Sequence, residues 1–369
     1  MPAYKNQHYV PAFYFRLYSD DGKNIWMYNV TEQRSMKVPI KTQCQEDYFY
    51  GKNPELEKHF SVGETQFNSL LTRVVQNSSL ANLSENDMRD LRAFVTFQRG
   101  RTQAAKMQAE EMSDTFAKQI LRFHIAADPS LPFKDEDLEK FRIVDEGAYM
   151  EVLLHHLLSP ILIHDLEIVL LLNETDQDFV FGGAPVIVHN QWHRQIRTNS
   201  GGSGFQSPGL QIFCPISPRH CLLFFDSAKY EMMSKTRPFR IFSRHDVQSI
   251  NDLQHFSTID NIYAGSEAQI QRSAARHIGL GLGKGGPQPI LLKEVPHESD
   301  PQRSLMVFGQ ERIPYDLQLK FLKVLPLVSG LHRQVRLDEP IGAFMRMINP
   351  IFEEINKKRE ELGRQKKGG

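Results

Sequence analysis

Residues 84–127 read SENDMRDLRAFVTFQRGRTQAAKMQAEEMSDTFAKQILRFHIAA, and this run decides the fold class. Ser84 stands three residues before Asp87, the spacing of a capping box with Asp in place of Glu or Gln, so a helix starts there. Met88, Leu91, Phe94 and Val95, then Met112, Phe116, Ile120 and Phe123, recur with a period near 3.6. Unbroken, such a helix is about 60 Å long at 1.5 Å per residue. Gly100 is the expected kink. Asp128-Pro129-Ser130-Leu131-Pro132 ends the run, because proline disfavours helix at and before its own position.

Upstream, Leu56, Phe60, Phe67, Leu70, Leu71, Val74 and Val75 form a second helical stripe, divided at Gly63. Before Gly51 the pattern is β: an aromatic-rich strand over 9–18, a turn at Asp20-Asp21-Gly22, a strand over 25–30 and a third over 36–40. Downstream come a helix over 135–158, strands over 167–172 and 179–189, and a glycine-rich loop over 200–209. Residues 210–216 and 221–225 pair as a hairpin across Ser217-Pro218. Helices are expected over 247–256, 258–277, 315–328 and 341–362. The predicted architecture is α+β: an N-terminal antiparallel β meander, long helices, a second antiparallel β region and C-terminal helices. Residues 1–278 form the core, and 279–369 a linker and C-terminal helical extension. Helices and strands are segregated, not alternating, which argues against a doubly wound nucleotide-binding sheet.

Composition bounds the function. The 369 residues are 40% hydrophobic with 44 basic against 44 acidic side chains, so no net field recruits nucleic acid or anionic membrane. The start shows no secretory signal. The most apolar window, 152–172, contains His155, His156, His164, Asp165 and Glu167 and is interrupted by Pro160, which reads as buried core and not a membrane span. Cys44, Cys214 and Cys221 form no Cys-x-x-Cys pair, and two buried thiols at 214 and 221 are favoured over a bridge. A soluble, cytoplasmic protein is expected.

The neutral total hides an asymmetry. Residues 128–178 hold thirteen acids against three bases, while 189–244 hold eight bases against two acids. Either the two segments pair within the fold, or the basic region with its glycine loop meets a phosphate-rich ligand such as a nucleotide or nucleic acid. Gly281-Leu282-Gly283-Lys284-Gly285-Gly286 fits G-x-G-x-x-G, but a helical pattern precedes it and Pro287 and Pro289 follow, so it reads as a linker. No Gly-x-Ser-x-Gly elbow and no activated cysteine is present.

Gln7-His8-Tyr9-Val10-Pro11-Ala12-Phe13 resembles the opening motif of the mainly bacterial family grouped as domain of unknown function 4238. Further elements follow in the family's order: Asp47-Tyr48-Phe49-Tyr50, Leu56-Glu57-Lys58 with Glu64, Phe97-Gln98-Arg99-Gly100-Arg101-Thr102, and Pro215-Ile216-Ser217-Pro218. Gly182-Gly183-Ala184 stands where the family has Ser-Asp-Asn. The resemblance spans about residues 7–265 and implies no established activity.

The residues it carries over make a cluster: His8 on a strand, Glu57 and Glu64 two helical turns apart on one face, Arg99 and Arg101 from the next helix. With His8, Glu57, Glu64 and Arg101 as catalytic groups and Arg99, Arg194 and Arg197 as phosphate ligands, the chain reads as a hydrolase or nuclease using a divalent metal. The same cluster reads also as a buried salt-bridged network fixing the meander onto the helices, and this reading is favoured over the catalytic one. The non-catalytic alternative is an interaction or regulatory protein, in which the 199–209 loop and a basic C-terminal helix contact a partner.

Overall fold

The computed structural model describes residues 5–327 apart from 53, 129, 146, 197, 199, 284, 298 and 299. β1 (Asn6–His8) leads to a short helix, α1 (Ala12–Arg16), then to the hairpin of β2 (Asn24–Asn29) and β3 (Arg34–Pro39), and to β4 (Gln45–Asp47). The helical run is α2 (Pro54–Asn77), α3 (Glu85–Gly100), α4 (Gln103–Ala127), α5 (Asp135–Leu138) and α6 (Ala148–Leu158). Then come β5 (Glu167–Asn173), β6 (Phe181–Gly182), β7 (Ile187–His189), β8 (Gln211–Ser217), β9 (His220–Phe225), β10 (Tyr230–Met232) and β11 (Phe239–Ile241). α7 (Arg244–Ser257), β12 (Asn261–Ala264), α8 (Glu267–Gly279), β13 (Ile290–His297), β14 (Asp300–Gln310) and β15 (Leu322–Val324) complete the order. The fold is α+β.

The central sheet runs β11-β5-β9-β8-β7, antiparallel except for β11 beside β5. Both its faces are covered, which is why its strands read as unbroken apolar runs. Leu170, Leu172, Ile212, Cys214, Leu222 and Phe224 face one core, shared with Tyr14, Phe67, Phe94 and Phe97. Val169, Leu171, Phe213, Cys221 and Leu223 face the other, shared with Val247, Ile250 and Leu253 of α7 and with Ile313, Leu317 and Phe321. Cys214 pairs with Leu222 across the hairpin, so the Cys214 and Cys221 thiols point to opposite faces and stay unbridged. A second sheet, β3-β2-β12-β6, packs against α8.

Several expected elements differ, each for a tertiary reason. Residues 9–18 are not a strand: Pro11, with φ −67°, precedes the turn of α1, and Phe13, Tyr14 and Phe15 are buried on successive sides of it. α2 runs unbroken through Gly63. The long helix breaks at Arg101-Thr102 and not at Gly100, because Thr102 caps a new helix by accepting from Ala105 N at 3.2 Å. Gly100 instead admits a neighbour, since a Cβ there would lie 2.5 Å from His156. The helix expected over 135–158 is interrupted; Ile143 N donates to Asp114 Oδ1 at 2.7 Å and holds the intervening segment on α4. Residues 179–189 divide between two sheets, as β6 and β7. The helix expected over 258–277 gives way to β12, which fills the place between β2 and β6 before Ser266 caps α8. Among the described residues of 280–327 there is no helix: the hairpin β13–β14 forms, and the helix expected from 315 is replaced by a strap ending in β15, paired with β10. The helix expected over 341–362 lies outside the described residues.

The charge asymmetry closes within the fold. Because β11 lies beside β5, Arg237 meets Glu167 at 2.5 Å and Arg240 meets Glu174; Arg244 reaches Asp176 at 2.5 Å and Arg219 reaches Asp178 at 3.3 Å. Such half-exposed pairs contribute little stability, but they neutralise most of the basic region. Among the described residues no helix is long and apolar enough to cross a membrane.

The Thr102 cap sets where α3 hands over to α4. Thr102→Ala is expected to cost about 1 kcal/mol, read as a lower urea midpoint at unchanged slope.

Candidate functional site

Arg99 and Arg101 leave the end of α3 two residues apart, about 200° around the helix, so their side chains diverge. Arg101 turns inward and is 1% exposed. Its Nε donates to the Tyr50 hydroxyl at 3.0 Å, its Nη2 to the His8 carbonyl at 2.6 Å, and its Nη1 pairs with Glu64 Oε1 at 2.6 Å. The guanidinium lies over the Phe97 ring at 4.9 Å, with Tyr50 and Phe60 at 5.7 and 5.8 Å. Gln7 tightens the same corner by accepting from Tyr50 N at 2.6 Å and donating to Gly51 O at 3.1 Å.

The structure therefore joins three of the four expected catalytic residues, but His8 takes part through its carbonyl. Its imidazole is held below its usual pKa by burial, and its Nε2 is buried without a hydrogen-bond partner among the described residues. Glu57 is drawn into the same field. Burial pushes its carboxyl up to about 7, with Arg101 opposing and Glu64 adding to the rise, and its Oε2 is likewise buried and unpartnered. All three nitrogens of Arg101 are engaged, which is the geometry of a network tying β1 to α2 and α3. Among the described residues no group of three or more His, Cys, Asp or Glu side chains could hold a metal ion.

Arg99 faces the other way, into a cleft. It is half-buried, burial lowers its pKa, and no carboxylate or hydrogen-bond acceptor engages its guanidinium among the described residues. The cleft is bounded by Ala104 and Gln108 of α4, by β7 and the turn after it as far as Arg194, by Ser200, Gly201 and Ser203 of the glycine loop, and by Gln288 and residues 310–313. Ala184 is in its wall. Arg194 points its Nε towards Asp316 Oδ1 at 3.5 Å and donates from Nη1 to Ile313 O at 3.3 Å. Burial lowers the pKa of His189 to about 4 and also lowers that of His193, so both imidazoles are neutral at pH 7. Glu311 is the one carboxylate among the described lining residues.

Two of the three expected phosphate ligands, Arg99 and Arg194, thus line one cleft; Arg197 lies outside the described residues. Sequence reasoning missed His189, His193 and Arg312. His189 ends the short strand β7 and His193 lies in the turn after it, a spacing with no motif of its own. Arg312 sits in a stretch read as extension, where nothing local signals a cleft.

Two measurements check the buried network. Arg101→Ala leaves the Glu64 carboxylate and the His8 carbonyl unpaired and is expected to destabilise by about 3 kcal/mol in urea melts. Glu57 has its usual 4.5 in the unfolded chain and about 7 when folded, so the folded state holds the extra proton between those values. Stability contributed there falls as pH rises from 4.5 through 7. Glu57→Gln is expected to raise Tm at pH 8 while leaving it nearly unchanged at pH 4.5, a comparison that thermal melts across pH make directly.

No curated protein and no solved structure matches this chain. A family model does, described as Protein of unknown function (DUF4238), over residues 6–268. The matched region contains β1 through the start of α8, including Arg99, Arg101 and Arg194; Gln288 and the 310–313 wall lie beyond it. With the match covering well over half of its length, the chain belongs to the DUF4238 family of proteins of unknown function.

Proposed function

We propose that the protein binds a phosphate-containing ligand in the cleft lined by Arg99 and Arg194. The observation that carries this reading is the half-buried guanidinium of Arg99 with no acceptor among the described residues. Removing a cation from water is costly unless it is paired, and a site that keeps one unpaired is complementary to an anion. Four arginines of 189–244 differ in this respect, because Arg219, Arg237, Arg240 and Arg244 already meet carboxylates. Nucleotides belong to the ligand class on this reading.

Hydrolysis is the stronger form of the proposal. It requires a base beside the bound phosphate, and the neutral imidazole of His193 supplies one at the cleft wall without a metal. The glycine loop does not support the non-catalytic reading, because it is engaged within the chain: Gly201 N donates to Gln310 O at 2.8 Å. Three buried, unpaired thiols support a reducing, cytoplasmic setting.

Isothermal titration with inorganic phosphate and with adenosine 5′-monophosphate tests the binding. Arg99→Ala is expected to weaken both by about 10- to 100-fold, the worth of a charge-assisted hydrogen bond. Absence of binding by the unaltered protein would rule the reading out. Phosphate release from a panel of esters, lost in His193→Ala with binding retained, tests hydrolysis.

A further inference from the structure

Resting on the reading of the Arg99 cleft, we infer that Arg312 is its second anchor and that the paired guanidiniums select a phosphate monoester over a phosphodiester. Arg312 reaches the cleft from the segment beyond the family match, on a different wall from Arg99. It is half-buried, and no carboxylate or acceptor engages its guanidinium among the described residues.

Its backbone is firmly placed. Glu311 N donates to Pro289 O at 3.0 Å, Glu311 pairs with Ser200 as a β-bridge, and Gly201 N donates to Gln310 O. Ile313, next in the chain, is buried in the second core, and Leu317 N donates to Gln191 Oε1 at 3.0 Å. Gly201 makes this approach possible: a Cβ there would lie 3.2 Å from both Arg312 Cα and Glu311 O. The glycine-rich loop is thus the seat of the strap that presents Arg312. A side chain on such a base positions a ligand with little ordering cost.

Charge then decides the class of phosphate. The wall carries Arg99, Arg194 and Arg312 against Glu311, and Arg194 is partly shared with Asp316. Arg99 and Arg312 remain unshared among the described residues, and the described lining as a whole, three arginines against Glu311, sums to +2. A phosphate monoester carries about −1.5 to −2 near pH 7 and leaves three oxygens to accept hydrogen bonds, so both can be satisfied. A phosphodiester carries one charge and leaves one guanidinium uncompensated, which disfavours an internal nucleic-acid phosphate.

The experiment titrates the full chain with inorganic phosphate, adenosine 5′-monophosphate and adenosine 3′,5′-cyclic monophosphate, the last two differing in monoester against diester. The unaltered protein is expected to prefer the monoester by about tenfold or more. Arg312→Ala and Arg312→Gln, each checked for an unchanged circular dichroism spectrum, are expected to erase that preference by weakening the monoester while leaving the diester in place. Arg99→Ala weakens both. Monoester affinity should also climb between pH 5.5 and 7.5 as the ligand loses its second proton near pH 6. If the Arg312 variants keep the preference, the inference fails and the Arg99 reading stands; if the unaltered protein binds none of the three, both fall.

Discussion

Where α3 stops determines what each of two arginines does. Thr102 accepts from Ala105 N and starts a new helix, so Arg101 sits at the junction with its side chain turned into the protein. There it ties the His8 carbonyl, the Tyr50 hydroxyl and the Glu64 carboxylate into one corner under aromatic rings. A buried cation is tolerated only when paired and hydrogen-bonded, and Arg101 is both. That corner holds β1 and β4 against α2 and α3, and with them the end of α3 from which Arg99 enters the cleft.

Most of the protein's charge follows the same rule of local compensation. The acidic stretch around β5 lies beside the basic stretch around β11, and their carboxylates and guanidiniums meet in pairs at the sheet edge. A segment that looks like a binding surface when its charges are counted along the chain is mostly neutralised once it is folded. What stands out afterwards is a smaller set: Arg99 at the end of α3 and Arg312 on the strap, which no carboxylate meets among the described residues. The His8–Glu57–Glu64 corner differs in kind, since its polar groups serve the packing and its unusual pKa values arise from burial.

The strap over 310–324 shows how a site can draw on a part of the chain outside the family region. Ile313, Leu317, Phe321 and Leu322 fill the far face of the central sheet. That burial fixes the residues between them, and so fixes the wall they give to the cleft. Core packing and the cleft wall are carried by neighbouring residues, with Gly201 closely packed against Arg312 and Glu311.

Local chemistry was enough to read α2, the capping box of α3, the end of α4 at Asp128, the β2–β3 hairpin and the β8–β9 pair, because caps, periodicity and turn residues act within a few positions. The same reading singled out Arg99 and Arg194, since arginine is visible as a residue type, and the fold brings both to one cleft. It did not show that Arg101 is consumed in a corner, that β12 replaces helix between two strands, or that residues 313–324 are a core-filling strap. Those outcomes depend on partners distant in the chain: Arg101 is held by the His8 carbonyl, β12 takes its form from β2, and Arg312 its place from Gly201. Amino-acid order determines which side chains carry charge and which stretches can coil; only the packed chain decides which charges find each other, because pairing is a property of distance in space.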